Sequence, residues 1–404
     1  MIPVNEAIKL VMDNVTLTNA EDVPLKQCLG RVLAEDVASR LSHPPVAVSS
    51  MDGYALKAAD TAASPVNLYQ IGVSQAGGGF DGVVGTGETV RIFTGAPLPK
   101  GTDAVQMQEN SEVQDDHITI IQSVTANNFV RAAGMDFAAG DILIEAGTVL
   151  SARHIGLAAA MNQPALPVRR KPRVAILATG NEVALPGTDL GPSQIITSNS
   201  FALHAYVNAM GGDPVDLGIA GDTLEELYAS LEGALNSDVL VTIGGVSVGD
   251  YDLVGQALAE KGLKQIFHKV AMRPGKPLLF GSIGNLSVLC MPGNPVSTGV
   301  CSILFLKQAL STMLGIKTTG RPALTAILGS DLAKNDLRQD YIRARLETND
   351  IGERTAQPFS LQDSAMQACF TEADCLIVRL PHAPLIKAGE LVNILLFSGS
   401  LVSL

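Results

Sequence analysis

The chain has 404 residues, 47% hydrophobic and 17% charged, which excludes a disordered protein and, at about 150 residues per domain, implies two to four folded units. Its 39 glycines and 21 prolines are dispersed, so neither a collagen-like nor a low-complexity chain fits. Twenty-eight basic against 40 acidic residues leave a formal charge of −12, which argues against nucleic acid as a partner, so an anionic ligand would need a local exception.

The start, Met1-Ile2-Pro3-Val4-Asn5-Glu6, lacks the basic and apolar regions of a secretory signal. No segment reaches the ~18 uninterrupted apolar residues of a membrane span. Five cysteines without a C-x-x-C pair suggest a reducing, cytoplasmic setting rather than a disulfide framework. Ile8, Val11 and Met12 have helical spacing. The patch from Leu25 to Leu33 fits a helix except at Gly30 and stays ambiguous.

From about His43 to Asn128, glycine-rich turns separate short β-prone runs at 66–73, 89–94, 105–108 and 117–123, the pattern of a small β domain. A mixed stretch follows, in which Ser151 can cap a helix over Ile155, Ala158 and Ala159. Residues 164–172 combine prolines with a basic cluster and are expected to form a linker.

Beyond it, strands and helices alternate: a strand at 173–178, a helix with Ala202, Ala205, Tyr206 and Ala209 on one face, a strand at 215–219, a helix with Leu224, Leu227, Tyr228, Leu231 and Leu235 on one face, and a strand at 238–243. That alternation implies a parallel, doubly wound sheet. Gly284-Asn285 between two apolar runs suggests a hairpin. After about Gly320 short β runs dominate. The expected fold class is therefore multidomain α/β: a mixed α+β N-terminal region (1–40 plus 131–171), an inserted β-rich domain (41–130), a central doubly wound α/β domain (172–318) and a C-terminal all-β, barrel-like domain (319–404).

Open α/β sheets bind ligands beyond the carboxyl ends of their strands. Four unusual loops fall there: Thr179-Gly-Asn-Glu182, Gly218-Ile-Ala-Gly-Asp222, Gly244-Gly-Val-Ser-Val-Gly-Asp-Tyr-Asp252 and Met291-Pro-Gly-Asn-Pro-Val-Ser297. They carry Glu182, Asp222, Asp250 and Asp252 to one rim, while Gly244, Gly245 and Gly249 let backbone N–H groups approach a phosphate. Carboxylates beside phosphate suit Mg²⁺. Between Lys261 and Ser330 there is no Asp or Glu, and Lys261, Lys264, Lys269, Arg273, Lys276, Lys307, Lys317 and Arg321 make a local positive field. Arg273-Pro-Gly-Lys276-Pro277 holds two of these cations on a stiffened loop suited to an oxyanion.

Plainer structural explanations exist for each feature. Asp222 with Glu225 reads as a helix capping box, Asp52-Gly53 as a turn, and the glycines after a buried strand as packing. Lys261, Lys264, Lys307 and Lys317 read as solvated. The conjunction of four such loops at one rim carries the information.

At 244–252, 273–277 and 292–297 the chain resembles the molybdopterin molybdenumtransferases, the family that includes the E domain of gephyrin. Ser50-Met-Asp-Gly-Tyr-Ala55, Thr94-Gly-Ala-Pro97, Gly134-Met-Asp136, Ala139-Gly-Asp141 and Thr179-Gly-Asn-Glu182 extend the likeness over essentially the whole chain. The resemblance implies that molybdate and adenylylated molybdopterin are converted to molybdenum cofactor and AMP with Mg²⁺ assisting. It implies a metal held by Glu182, Asp222 and Asp252, and oxyanions neutralised by Arg273 and Lys276. Substrate contacts would come from Gly244, Gly245, Ser247, Gly249, Asp250, Pro292, Asn294 and Pro295, and a molybdate pocket from Ser297, Arg343 and Ser364. Asp52, Thr94 and Asp136 would face the site from the partner subunit of an elongated homodimer. The chain departs from the family pattern at Asn181, where Asp is usual, at Arg273, where Lys is usual, and at Met135, where an acid is usual. Two alternatives remain open: adenylyltransferase or nucleotide-hydrolase activity of the sheet domain alone, and a catalytically silent dimeric scaffold.

Overall fold

The computed structural model describes residues 1–245, 253–317 and 324–397, and the elements below are those of the described residues. The first helix, Val4–Asp13, places Val4, Ala7 and Val11 on one buried face. Although the sequence groups residues 1–40 with the elongated N-terminal part, these three side chains pack into the central domain with Phe305, Leu306 and Leu310. The ambiguous patch resolves as one 3₁₀ turn, Leu25–Gln27.

Residues 164–172 are not simply a linker. Alternate side chains Leu166 and Val168 of the strand Ala165–Arg169 are fully buried, and this strand pairs antiparallel with Ala20–Pro24. Period-two burial outweighs proline content here: of the three prolines only Pro167 lies within the strand, opposite Asp22, and Pro164 and Pro172 flank it. Arg170 then clamps the unit to the central domain through paired bonds of 2.9 and 2.8 Å to Asp238.

The inserted unit is a six-stranded sheet that includes Gly53–Leu56, Val66–Ser74, Glu88–Ile92, Ala104–Met107 and His117–Ile120, so all four expected β runs form. The runs are recognisable because Leu68, Val90, Ile92, Val105, Ile118 and Ile120 are wholly buried between glycine turns.

Six strands make the central sheet: β1 (Arg173–Thr179), β2 (Asp213–Ala220), β3 (Val239–Ile243), β4 (Lys264–His268), β5 (Leu279–Ile283) and β6 (Leu286–Met291), in the order β2-β1-β3-β6-β5-β4. β2, β1, β3 and β6 are mutually parallel, whereas β5 runs against both neighbours. The sheet is thus mixed at one edge, because the Gly284-Asn285 turn returns the chain as a hairpin with Ile283 opposite Leu286. Its near-continuous apolar strands are covered on both faces by separate cores. The helix Asn199–Ala209 buries Leu203 and Val207 rather than the expected face of Ala202, Ala205, Tyr206 and Ala209. Larger side chains release more free energy on burial than alanine, and so set the rotation.

In the C-terminal unit the strands Gln339–Thr348, Arg354–Pro358, Leu324–Leu328, Leu391–Leu396 and Cys375–Arg379 pair in turn, and the last returns to the first, closing a five-stranded barrel. Met272–Arg273 of the central domain joins it beside Gln339–Asp340. Among the described residues, one helix, Pro295–Met313, is long and apolar enough to cross a membrane. With 72% of that window buried, it is a core helix.

Candidate active site

Register aligns the carboxyl ends of β1, β3 and β6. Ala178 pairs with Ile243, which pairs with Met291, and Thr179 pairs with Ala220 at the end of β2. Four loops therefore leave from one rim, and the chain order reverses between β1 and β3, the position where such sheets open a crevice. A cleft of about 760 Å³ lies there. It is lined by Thr179, Ile243, Gly244 and Gly245 at the strand ends, by Pro292–Pro295, by Glu182 with Val183, Ile195 and Ile196, and by the two cations Lys269 and Lys276. Ala365, from the barrel, closes one edge.

The rim is built by local rules. Gly245 has φ +64°, and a Cβ there would meet Val254 Cγ2 at 2.3 Å, so both conformation and space demand glycine. Gly180, at φ +126°, lets the Glu182 carboxylate fold over the backbone, where a Cβ would lie 2.3 Å from Oε2. The capping box expected of Asp222 and Glu225 is displaced by one residue. Thr223 caps the helix Leu224–Gly233 by accepting from the Glu226 N–H at 3.3 Å, and Glu226 turns back to accept from Gly221 N–H at 2.6 Å. Asp222 is thereby free of capping, and it forms a reciprocal bracket with Asn181. Its Oδ2 accepts from Asn181 N–H, and its own N–H donates to Asn181 Oδ1, both at 3.2 Å. Asn181 thus ties two rim loops together without supplying a third carboxylate.

Glu182, Gly244, Gly245, Lys276, Pro292, Asn294 and Pro295 line the cleft as expected of a shared site, and Asp222 stands beside them through its bracket with Asn181. Ser247, Gly249, Asp250 and Asp252 lie outside the described residues. Ser364 accepts from Asn294 Nδ2 at 2.8 Å through its hydroxyl, and from Val296 N–H at 3.0 Å through its carbonyl, which docks the barrel loop on the first turn of the buried helix carrying Ser297. Arg343, 1% exposed, donates to the Asp363 carbonyl at 2.7 Å and to Gln362 Oε1 at 3.1 Å, and burial pushes its pKa down.

Arg273 is placed differently from the expected oxyanion role. Its guanidinium is engaged by Asp340, with bonds of 2.9 and 2.6 Å, and it does not line the cleft. Asp340 lies in the strand beside Arg273, so the pair locks the loop carrying Lys276 to the barrel. Asp52, Thr94 and Asp136 do not line the cleft of their own chain. Thr94 donates to Asp52 Oδ1 from both its N–H (2.7 Å) and its hydroxyl (2.9 Å), which holds the Asp52 carboxyl below its usual pKa. Asp136 donates its N–H to the His43 carbonyl in the elongated unit.

Sequence reasoning did not single out Lys269, Asn199, Val183, Ile195 or Ile196 as site residues. Asn199 Nδ2 donates to the Gly293 carbonyl at 2.6 Å and so fixes one cleft wall against another. Only the acid-free segment hinted at Lys269. Its neighbours Lys261 and Lys317 turn out to be paired with Glu232 and Glu145.

Three family models match in chain order: the MoeA N-terminal region (domain I and II) over residues 2–162, a probable molybdopterin binding domain over 175–312, and the MoeA C-terminal region (domain IV) over 325–397. The chain is 35% identical to molybdopterin molybdenumtransferase 2 of Mycobacterium tuberculosis, covering 86% of this chain and 88% of that protein. It is 31% identical to the molybdopterin molybdenumtransferase of Haemophilus influenzae, covering 98% of each. Two solved structures of the molybdopterin biosynthesis MoeA protein of Pyrococcus horikoshii superpose with TM-scores of 0.86 and 0.84 at 32% and 28% identity, over 99% and 98% of this chain and all of each of theirs.

Proposed function

The chain belongs to the MoeA family of molybdopterin molybdenumtransferases, with a role in molybdenum cofactor biosynthesis, and from that premise we propose that its cleft transfers molybdenum from molybdate into adenylylated molybdopterin, releasing AMP. The observation that carries this reading is the cleft at the aligned strand ends, with two lysines and a carboxylate among the residues that line it. Among the described residues neither Lys269 nor Lys276 has an ion-pair partner, so both ammonium groups are available to an anionic substrate. Preorganised charge of this kind stabilises negative charge developing on a leaving phosphate without reorganisation during the reaction.

Magnesium belongs to the same proposal. Among the described residues no three His, Cys, Asp or Glu side chains cluster closely enough to enclose an ion. Glu182 and Asp222 instead sit on adjoining rim loops, which suits Mg²⁺ held by one or two carboxylates together with substrate phosphate. Those two residues, with Asp252, would hold it; when bound, Mg²⁺ polarises the phosphoanhydride. The chain's own residues bind and orient: Lys276 neutralises an oxyanion, and Val183, Ile195 and Ile196 offer an apolar wall to a planar ring. Asp52, Thr94 and Asp136 do not line this cleft and are assigned to the site of a second copy in a homodimer, with exposed Met51 and Met135 next to Asp52 and Asp136 in the chain.

Purified protein incubated with adenylylated molybdopterin and Mg²⁺ should release AMP only when molybdate is added. AMP transfer from ATP to molybdopterin would instead support an adenylyltransferase, and absence of any turnover would support the scaffold alternative.

A further inference from the structure

One basic side chain of the inserted unit is fixed beside the Asp52–Thr94 pair. Arg91 lies in the strand Glu88–Ile92, across from Tyr54 in the register, and its guanidinium packs over the Tyr54 ring at 5.0 Å and over the Phe93 ring at 5.1 Å. Its Nη1 donates to the Gly53 carbonyl at 3.3 Å, and its Nη2 donates to Gln108 Oε1. Gln108 in turn donates its N–H to the Asp52 carbonyl at 3.2 Å. The arginine therefore grips the residue after Asp52 directly and Asp52 itself through Gln108, while the two bonds from Thr94 fix the carboxylate. Gly53 leaves no slack, because a Cβ there would lie 1.8 Å from the Gln106 carbonyl oxygen. Among the described residues no carboxylate lies within ion-pair distance of Arg91. The Thr94 bonds, and after them the Arg91 charge, hold the Asp52 carboxyl below its usual pKa. Asp52 and Thr94 are both exposed, and ordering an exposed carboxylate adds little to stability, so a clamp of this kind serves a ligand rather than the fold.

We propose that Arg91 is a positioning residue: it acts on the chemistry through Asp52, holding that carboxylate and Thr94 in the orientation in which the inserted unit of one copy presents them to the cleft of the other. The assignment rests on the function proposed above, which assigns Asp52 and Thr94 to that second cleft. Arginine suits the task better than lysine, because a planar fork holds two acceptors while it packs on aromatic rings.

The test is single-turnover release of AMP from adenylylated molybdopterin, with molybdate and Mg²⁺ present, in full-length protein carrying Arg91→Met, Arg91→Lys, Asp52→Asn, or Arg91→Met together with Asp52→Asn. Arg91→Met keeps an apolar stem over the rings but loses the fork. It should slow release by about tenfold, since misplacing a group by about 1 Å costs up to about a hundredfold. Arg91→Lys keeps the charge and should recover part of the loss. In the double variant release should be no slower than in Asp52→Asn alone, because Arg91 then has nothing to position, whereas a merely structural arginine would slow both backgrounds by the same factor. Heterodimers of one Arg91→Met chain and one Lys276→Met chain, purified through two affinity tags, should release AMP faster than either variant alone, because one of their clefts combines an intact Lys276 with an intact Arg91 from the other chain. Wild-type release in Arg91→Met, equal slowing in both backgrounds, or heterodimers no faster than the faster single variant overturns this assignment and leaves molybdenum transfer itself standing. A wild-type protein that releases no AMP overturns the function proposed above and this assignment with it.

Discussion

Replacing Asp340 by Asn separates two possible uses of Arg273. The carboxylate, 7% exposed, receives two charged hydrogen bonds from a guanidinium that is 49% exposed, and Asp336 stands 3.8 Å from the same guanidinium. Breaking a fully buried pair costs about 3–5 kcal/mol, but here water and Asp336 can take over the half-exposed Arg273. Charge-assisted hydrogen bonds lost from such a site are worth about 1.5–3 kcal/mol, and exposure places the expected coupling near the lower end, about 1–2 kcal/mol. A double-mutant cycle of Arg273→Ala and Asp340→Ala, read by urea denaturation, measures it. If the pair is a clamp on the Lys276 loop, both single variants should also weaken inorganic phosphate binding in the same direction. A coupling below about 0.5 kcal/mol, or tighter phosphate binding in Asp340→Asn through a liberated Arg273, would refute the clamp.

Gly245→Ala should destabilise the protein by about 1–3 kcal/mol, since the new Cβ meets Val254 and the backbone stays left-handed; an unchanged denaturation midpoint would show that the rim rearranges freely. Bonds from Arg338 depress the pKa of Asp336, so its stabilising contribution is present above the ordinary carboxylate pKa and lost as pH falls through the lowered value. Asp336→Asn should accordingly flatten the decline of the urea midpoint below about pH 4, the ordinary carboxylate pKa, and an unchanged acid limb there would contradict that sign. Leu166→Asp should unfold the N-terminal unit, detectable as early proteolysis, because Leu166 is wholly buried in a paired strand. Resistance equal to wild type would restore the linker interpretation.

The alternation of strands and helices is legible from sequence because the strands of a doubly covered sheet are continuous apolar runs, as in 173–179 and 239–243. The rim is legible for the same reason: once strand ends are known, the loops at 180–182, 244–245 and 292–295 must follow them. What escapes sequence reasoning depends on pairing at long range. Ala165–Arg169 becomes a strand only because residues 20–24 lie beside it. Arg273 and Lys276 are alike in a motif, yet Asp340, distant in the chain, engages one and leaves the other in the cleft. Lys269 carries no local signal, since its left-handed backbone is imposed by the N-terminus and by residue 278. The Asp222 capping box fails by one residue because Thr223, an equally good cap, precedes Glu226 by the required spacing.

Molybdenum transfer is proposed to take place in the cleft at the ends of β1, β3 and β6. Single-turnover release of AMP from adenylylated molybdopterin, with molybdate present, should fall by a factor on the order of 10² or more in Lys276→Met while the melting temperature stays at the wild-type value. Wild-type turnover in that variant would contradict the claim and place the chemistry elsewhere on the protein.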